Sequence, residues 1–400
     1  MTAGVPPRKI DVHLHLAGIG TDGSGCWISP LFQRRLTFRL LRLVQRIKGG
    51  RRDPTDADWA ANAAALVRDS ELDQAVALGF DGVYDARGEL DRALSQMIIP
   101  SAWVFEVCRR HPELLPGPSV NPHRRDALER LEECIDGGAA LIKWLPATQR
   151  IDAADPAILP FLRRVAEAGI PLLVHSGGSE GTFAEIDPSL KDLERLRPAL
   201  RLGVRVIVAH SGVPVIYMRD PDQLPLLREM LAEHPHLWVD NSGMSNPSRF
   251  RHLPRMAGDP DIAPRTLHGS DYPVPTNAFW YARVLGARRA WRLDRIRNPL
   301  QRDVELKRAL GYPDDALTRH AAALAHLDRW PAPVKAAPHP GSAIAAGVQA
   351  PPPGTPGIPG EPRASTSGTS GIGEEPQGPP QGLPGIRGEW PASPQGLPGE

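Results

Sequence analysis

Short apolar runs, each closed by one polar side chain, recur along the chain. Ala139-Ala140-Leu141-Ile142 ends in Lys143, Pro171-Leu172-Leu173-Val174 in His175, and Val206-Ile207-Val208-Ala209 in His210. Leu237-Trp238-Val239 ends in Asp240, and Thr266-Leu267-His268-Gly269-Ser270 leads to Asp271 ahead of Tyr272-Pro273. Runs of this length read as strands, and their spacing says how they are joined. Lys143 to His175 is 32 residues and His175 to His210 is 35. A strand, a loop, a helix and a return loop take roughly that length in a parallel α/β unit. His210 to Asp271 is 61, two such units, with Leu237–Asp240 as the strand between them. His15 to Lys143 is 128, three units plus an insertion.

Counted this way, the chain predicts eight strands in an α/β fold, a (β/α)8 TIM barrel. His13 and His15 fall on the first strand, Lys143 on the fourth, His175 on the fifth, His210 on the sixth and Asp271 on the eighth. Gly82-Val83-Tyr84-Asp85 reads as the second strand, with Arg87 after it and a helix opening near Glu89; Asn121 follows the third. The C-terminal ends of barrel strands converge on one face, where such folds carry their chemistry.

Asp11-Val12-His13-Leu14-His15 puts two imidazoles two residues apart on a strand, hence on one face. Two rings there are costly to bury without a shared partner, and His175 and His210 follow almost wholly apolar strands where an unpaired polar tip is expensive. The four histidines therefore read as ligands of a divalent metal. Nitrogen-rich ligation suits zinc, and manganese, iron and cobalt share this chemistry. Asp271 has two candidate jobs, ligating the metal and taking a proton from water that the metal acidifies. Lys143 would bury an ammonium unless something neutralises it. His268, three residues before Asp271, falls on the opposite face of its strand and reads as a packing residue, while His234, His236 and His252 read as surface.

These motifs (DVHLH, SVNP at Ser119–Pro122, GAALIKWLP, LLVHSG, VIVAHSG and HGSDYP) resemble those of the amidohydrolase superfamily, closest to its amidohydrolase-2 branch, over roughly residues 8–330. The resemblance implies a metal-dependent hydrolase. His13, His15, Lys143, His175, His210 and Asp271 would form the metal set, with Asp271 and His210 as catalytic residues and Asp271 as general base. It also implies two options for Lys143, a carboxylated lysine bridging two metals or an ordinary lysine beside one metal; a third is an uncarboxylated lysine that pairs with Asp271 or with a substrate carboxylate. Some single-metal relatives are non-oxidative decarboxylases, which is the alternative activity. An inactive barrel acting as a binding protein is the non-enzymatic alternative, and the intact set of six argues against it. Dimers are common among resembling proteins, so a homodimer is an open expectation.

Composition changes the picture at the margins. With 400 residues, positions 1–330 suffice for one barrel of the usual ~250 residues plus insertions. Lys plus Arg at 47 against Asp plus Glu at 46 gives no bias toward nucleic acid, so the expected partner is a small-molecule substrate. Three scattered cysteines, Cys26, Cys108 and Cys134, form no disulfide framework. No uncharged apolar run approaches the ~20 residues of a membrane span. With the first strand starting near Arg8, no signal peptide is expected ahead of it, and a cytoplasmic location follows as the expectation. Residues 31–52 carry eight basic side chains and no acid, with Arg35, Arg39, Arg42 and Arg46 at helical spacing beside Leu36, Leu40, Leu43 and Ile47. That is an amphipathic helix with a cationic stripe. It has three readings: a helix packed on the barrel, a lid that attracts an anionic substrate, or an attachment to a membrane or acidic partner. Arg87, with its planar fork, Asn121 and Trp144 are the candidate substrate-binding residues. From Pro331 onward 17 of 70 residues are proline and 14 glycine, which predicts a disordered tail over 331–400.

Overall fold

The computed structural model describes residues 7–35, 38, 54–179 and 181–333. Most of the basic insertion and the Pro/Gly-rich tail from residue 334 lie outside the described residues. The chain divides into two units, 1–346 and 347–400, and all that follows concerns the first.

Eight parallel strands form the barrel: β1 (Ile10–His15), β2 (Gln74–Leu78), β3 (Leu114–Gly117), β4 (Ile142–Trp144), β5 (Leu172–Val174), β6 (Val206–Val208), β7 (Leu237–Asp240) and β8 (Thr266–Leu267). β1, β2 and β3 pair in order, as do β4 through β8. The two arcs join at both seams. Ala140 N and Lys143 N donate to the carbonyls of Pro116 and Pro118, each at 2.8 Å, between β3 and β4. Val12 N donates to His268 O at 2.9 Å and Asp271 N to His13 O at 2.8 Å, between β8 and β1. Closure leaves no free sheet edge in the barrel. The count of strands carrying the six polar residues is as the spacing predicted.

One strand differs from expectation. The second barrel strand is Gln74–Leu78, buried at every position, and not Gly82–Asp85. Val83–Tyr84 instead pairs antiparallel with Leu90–Asp91 in a small hairpin outside the barrel, so no helix opens at Glu89. The reason is the demand for burial: Gln74-Ala75-Val76-Ala77-Leu78 can lie between β1 and β3 with apolar groups on both faces, whereas Tyr84 and Asp85 cannot.

A helix follows each strand: α1 (Asp56–Arg68), α2 (Ser101–Arg110), α3 (Ala127–Asp136), α4 (Leu159–Ala168), α5 (Arg197–Arg201), α6 (Leu224–Glu233), α7 (Leu253–Ala257) and α8 (Pro299–Ala309). Local chemistry sets their ends. Thr55 and Asp58 make a reciprocal capping box at α1, Asn298 caps α8 just before Pro299, and Gly169 ends α4 at φ 63. Alternation along each strand then separates two layers. Val76, Leu78, Leu115, Leu141, Leu173 and Ile207 fill the barrel interior, while Ile142, Trp144, Val174, Val206 and Val208 pack outward against the helices. Lys143 pairs in register with inward Leu173, and Trp144 with outward Val174. That one alternation sends the lysine into the barrel and the indole away from it.

Glu71 ties the first and last units together. It accepts from Lys9 Nζ at 2.6 Å and Arg308 Nη2 at 3.0 Å, and Gln301 Nε2 of α8 donates to it at 3.1 Å. Partial burial would raise its pKa, but the hydrogen bonds from Arg308 and Lys9 outweigh that and pull it down to about 2. A carboxyl depressed on folding contributes stability that is complete above its unfolded pKa of roughly 4.3 and is lost as pH falls through the folded value. Glu71→Gln is therefore expected to lower unfolding free energy by about 1–2 kcal/mol at pH 7, after allowance for solvent screening. The gap to the parent should narrow steadily from pH 5 to pH 3. Denaturant melts across that range check it, and a gap independent of pH contradicts it.

Candidate metal centre

The six polar residues singled out by spacing converge at the C-terminal mouth of the barrel. His13 Nε2 lies 3.1 Å from His15 Nε2 and 3.3 Å from Lys143 Nζ. Asp271 Oδ1 lies 3.2 Å from His15 Nε2 and 3.5 Å from His13 Nε2. The His210 ring centroid is 5.1 Å from that of His13 and 4.8 Å from that of His175. One ligand atom each from His13, His210 and Asp271 falls within 4.8 Å of the others.

Backbone distortion places these groups. β1 pairs Asp11 with Ala75 but Leu14 with Ala77, so one extra residue bulges β1 where His13 sits. His210, Ser211 and Asp271 adopt positive φ of 54, 49 and 64°. Left-handed backbone at non-glycine residues costs of order 1–3 kcal/mol each and survives only where surrounding structure enforces it. Here Asp240 enforces much of it. Its Oδ1 accepts from His210 N at 2.8 Å, Ser242 N at 3.0 Å and Ser242 Oγ at 2.5 Å. Its Oδ2 accepts from His13 Nδ1 at 2.8 Å. Asp11 Oδ1 adds the amides of His13 and Ser270, both at 2.9 Å; burial drives its own carboxyl up to about 7. Gly243, at φ +62, leaves the room: a Cβ there would meet Asp271 Oδ2 at 2.6 Å and His210 Nδ1 at 3.2 Å.

The donor chemistry fits a divalent ion. Asp240 accepts the hydrogen bond from His13 Nδ1 and Ser242 O accepts from His210 Nδ1 at 2.8 Å, which leaves the Nε2 lone pair of each ring for a metal. Burial, reinforced by the Lys143 charge at His13, by His210 at His175 and by Arg249 at His210, holds all three rings well below the usual imidazole range. They are neutral at pH 7, the form that ligates. For Asp271 burial acts upward, but the hydrogen bond from His15, the neighbouring imidazoles and the Arg249 guanidinium outweigh it and keep the carboxyl below its ordinary value. An ionised, buried carboxylate beside neutral imidazoles is a combination that structure alone rarely requires.

The other expected residues lie elsewhere. Trp144 is fully buried, its indole donating to Val120 O at 2.8 Å and its ring against Phe161 of α4. Asn121 is fully buried and donates to the carbonyls of Gly82 and Gln149 at 3.0 and 2.9 Å. Arg87 is exposed in the turn of the outer hairpin, where Asp85 Oδ1 accepts from its amide at 2.8 Å. None of the three lines the cavity at the metal centre. Arg87 misses because the segment before it is not a barrel strand, and Trp144 because alternation turns it outward. His268 is buried beyond β8, 3.8 Å from Asp303; His234, His236 and His252 are half-buried and do not line the cavity. Spacing missed Asp11, Ser242, Gly243 and Arg249. Asp240 carried a usable signal, a carboxylate ending an apolar strand as His175 and His210 do.

No curated protein matches the chain. Among solved structures it is similar to an uncharacterized TIM-barrel protein from Bordetella bronchiseptica (16% identity, 76% of this chain and 99% of that one, TM-score 0.48). It is also similar to a protein named as a 2-pyrone-4,6-dicarboxylic acid hydrolase from Pseudomonas putida (16%, 81% and 97%, TM-score 0.42). A third is 5-carboxyvanillate decarboxylase from Sphingomonas paucimobilis (14%, 79% and 98%, TM-score 0.43). The family model Amidohydro_2, described as Amidohydrolase, matches residues 10–311. That span runs from the first residue of β1 to just past α8 and takes in every residue of the centre, and the chain belongs to this amidohydrolase family.

Proposed function

We propose that this protein is a metal-dependent hydrolase that cleaves an amide, lactone or ester bond in a small molecule. The observation that supports it best is Asp271: a buried carboxylate kept ionised, with Oδ1 3.2 Å from a ring nitrogen of His15. His13, His15, His175, His210 and Asp271 would hold the ion, zinc in this reading. A divalent ion there supplies Lewis acidity, polarising a scissile carbonyl and bringing the pKa of water toward neutrality.

The chain's own residues do the rest. Asp271 accepts the proton of the attacking water and returns it to the leaving amine or alkoxide. His210, its Nδ1 proton fixed on Ser242 O, presents the opposite nitrogen and cannot act as an acid there. Lys143 Nζ, 3.3 Å from His13 Nε2, is placed where a carboxylated side chain would reach the ring nitrogens of β1. In this reading a carboxylated Lys143 would help to hold a second ion.

Elemental analysis of protein purified without chelator, beside Lys143→Ala and His13→Ala, tests the centre. Two metals in the parent falling to one or none in Lys143→Ala fits the bridged form; no metal after zinc supplementation sinks the proposal. A panel of esters, lactones and anilides, set against aryl carboxylates monitored for carbon dioxide release, tests the reaction. Release of carbon dioxide with no hydrolysis would replace the hydrolase by a non-oxidative decarboxylase.

A further inference from the structure

A small, largely apolar cavity opens beside the centre, and His15 and Asp271 are part of its lining. Three segments that are distant in sequence build its walls. Phe32 comes from the short helix Pro30–Arg34, whose cap is Ser29; Trp59 comes from α1, and Phe183 from the loop after β5. Phe183 stacks on Phe32, with ring centroids 4.8 Å apart and planes 17° from parallel, and Phe38 lies 5.5 Å from Phe32. Ile28, Met97, Thr182 and Val274 also line it. Among the described residues no lysine or arginine faces this space. The cations of the short helix point outward instead: Arg34 and Arg35 are exposed while Phe32 is buried.

We infer that the substrate places an uncharged, apolar group of about one aromatic ring in this cavity, with its reacting group at His15 and Asp271. The placement rests on the metal-centre reading above, though not on which bond is broken. A carboxylate taken into these walls would lose its water and meet no cationic side chain among the described residues. An apolar ring loses nothing polar and gains contact with aromatic side chains of the lining. The described lining therefore favours an uncharged tail in this cavity.

The test compares two ligands that offer the metal the same carboxylate head: 4-ethylbenzoate and terephthalate. They differ only in the para group that would enter the cavity. Binding to the zinc-loaded full chain is measured by calorimetry, with no turnover required. 4-Ethylbenzoate is expected to bind at least tenfold more tightly. Val274→Trp and Thr182→Trp, both at half-buried wall positions, should each weaken it tenfold or more with zinc content unchanged. Terephthalate binding as tightly, or 4-ethylbenzoate indifferent to both tryptophans, overturns the inference. If 4-ethylbenzoate behaves as expected while no ester or amide is cleaved, the hydrolase reading fails and the cavity assignment stands.

Discussion

Asp271→Asn is expected to reduce kcat/KM by at least about 10³-fold at saturating zinc, with the fold intact. The substitution keeps size and shape and retains an oxygen that can accept from His15. What it removes is the negative charge and the capacity to take a proton, and general-base catalysis alone is worth about 10²–10⁴-fold. The parent should show an acid limb, with rate falling as pH drops through the pKa of the carboxyl. Because that pKa is depressed, the limb lies below the usual carboxylate range. In Asp271→Asn the limb should vanish along with the rate. Gly243 lets the comparison be clean, since its lack of a Cβ leaves Oδ2 uncrowded and an amide nitrogen fits there. Zinc content measured alongside separates a lost base from a lost ligand. Activity within tenfold of the parent, with metal present, would show that Asp271 is not the base.

Most of the barrel was legible because burial writes itself into sequence. Strands covered on both faces must be continuously apolar, so the polar residue that ends each one stands out, and β/α units have a narrow range of lengths. That is why Lys143, His175, His210 and Asp271 could be assigned to strands by counting. The second strand was misplaced because Gln74–Leu78 ends in no chemical marker; its polar member, Gln74, comes first and serves the closed end of the barrel, accepting from Arg8 at 2.8 Å. Substrate contacts were hardest. Proximity to a strand end does not say which way a side chain points, and Trp144 turns outward one residue after Lys143 turns in. Nor does sequence reveal tertiary convergence: Phe32, Trp59 and Phe183 become one wall only after the chain has closed.

Asp240 shows the same limit from the other side, since a carboxylate that in the sequence only closes an apolar run organises the centre in the fold. Asp240→Asn is expected to lower zinc affinity by about 10²-fold, at the upper end of what outer ligand partners contribute. The amide oxygen can still accept from His210 N and from Ser242, so the left-handed turn at His210 should persist. The amide nitrogen would then face His13 Nδ1, donor against donor, across the present 2.8 Å. The ring relieves this by moving its proton to Nε2, which consumes the lone pair aimed at the centre. The loss is thus in tautomer, not in position. Two measurements isolate it. The zinc dissociation constant should rise by about two orders of magnitude, while the unfolding free energy of the zinc-free protein should change far less than in Asp240→Ala, where four backbone and side-chain donors lose their acceptor in a buried site. Equal damage to stability in both variants, or unchanged zinc affinity in Asp240→Asn, would reduce Asp240 to a structural cap on β7.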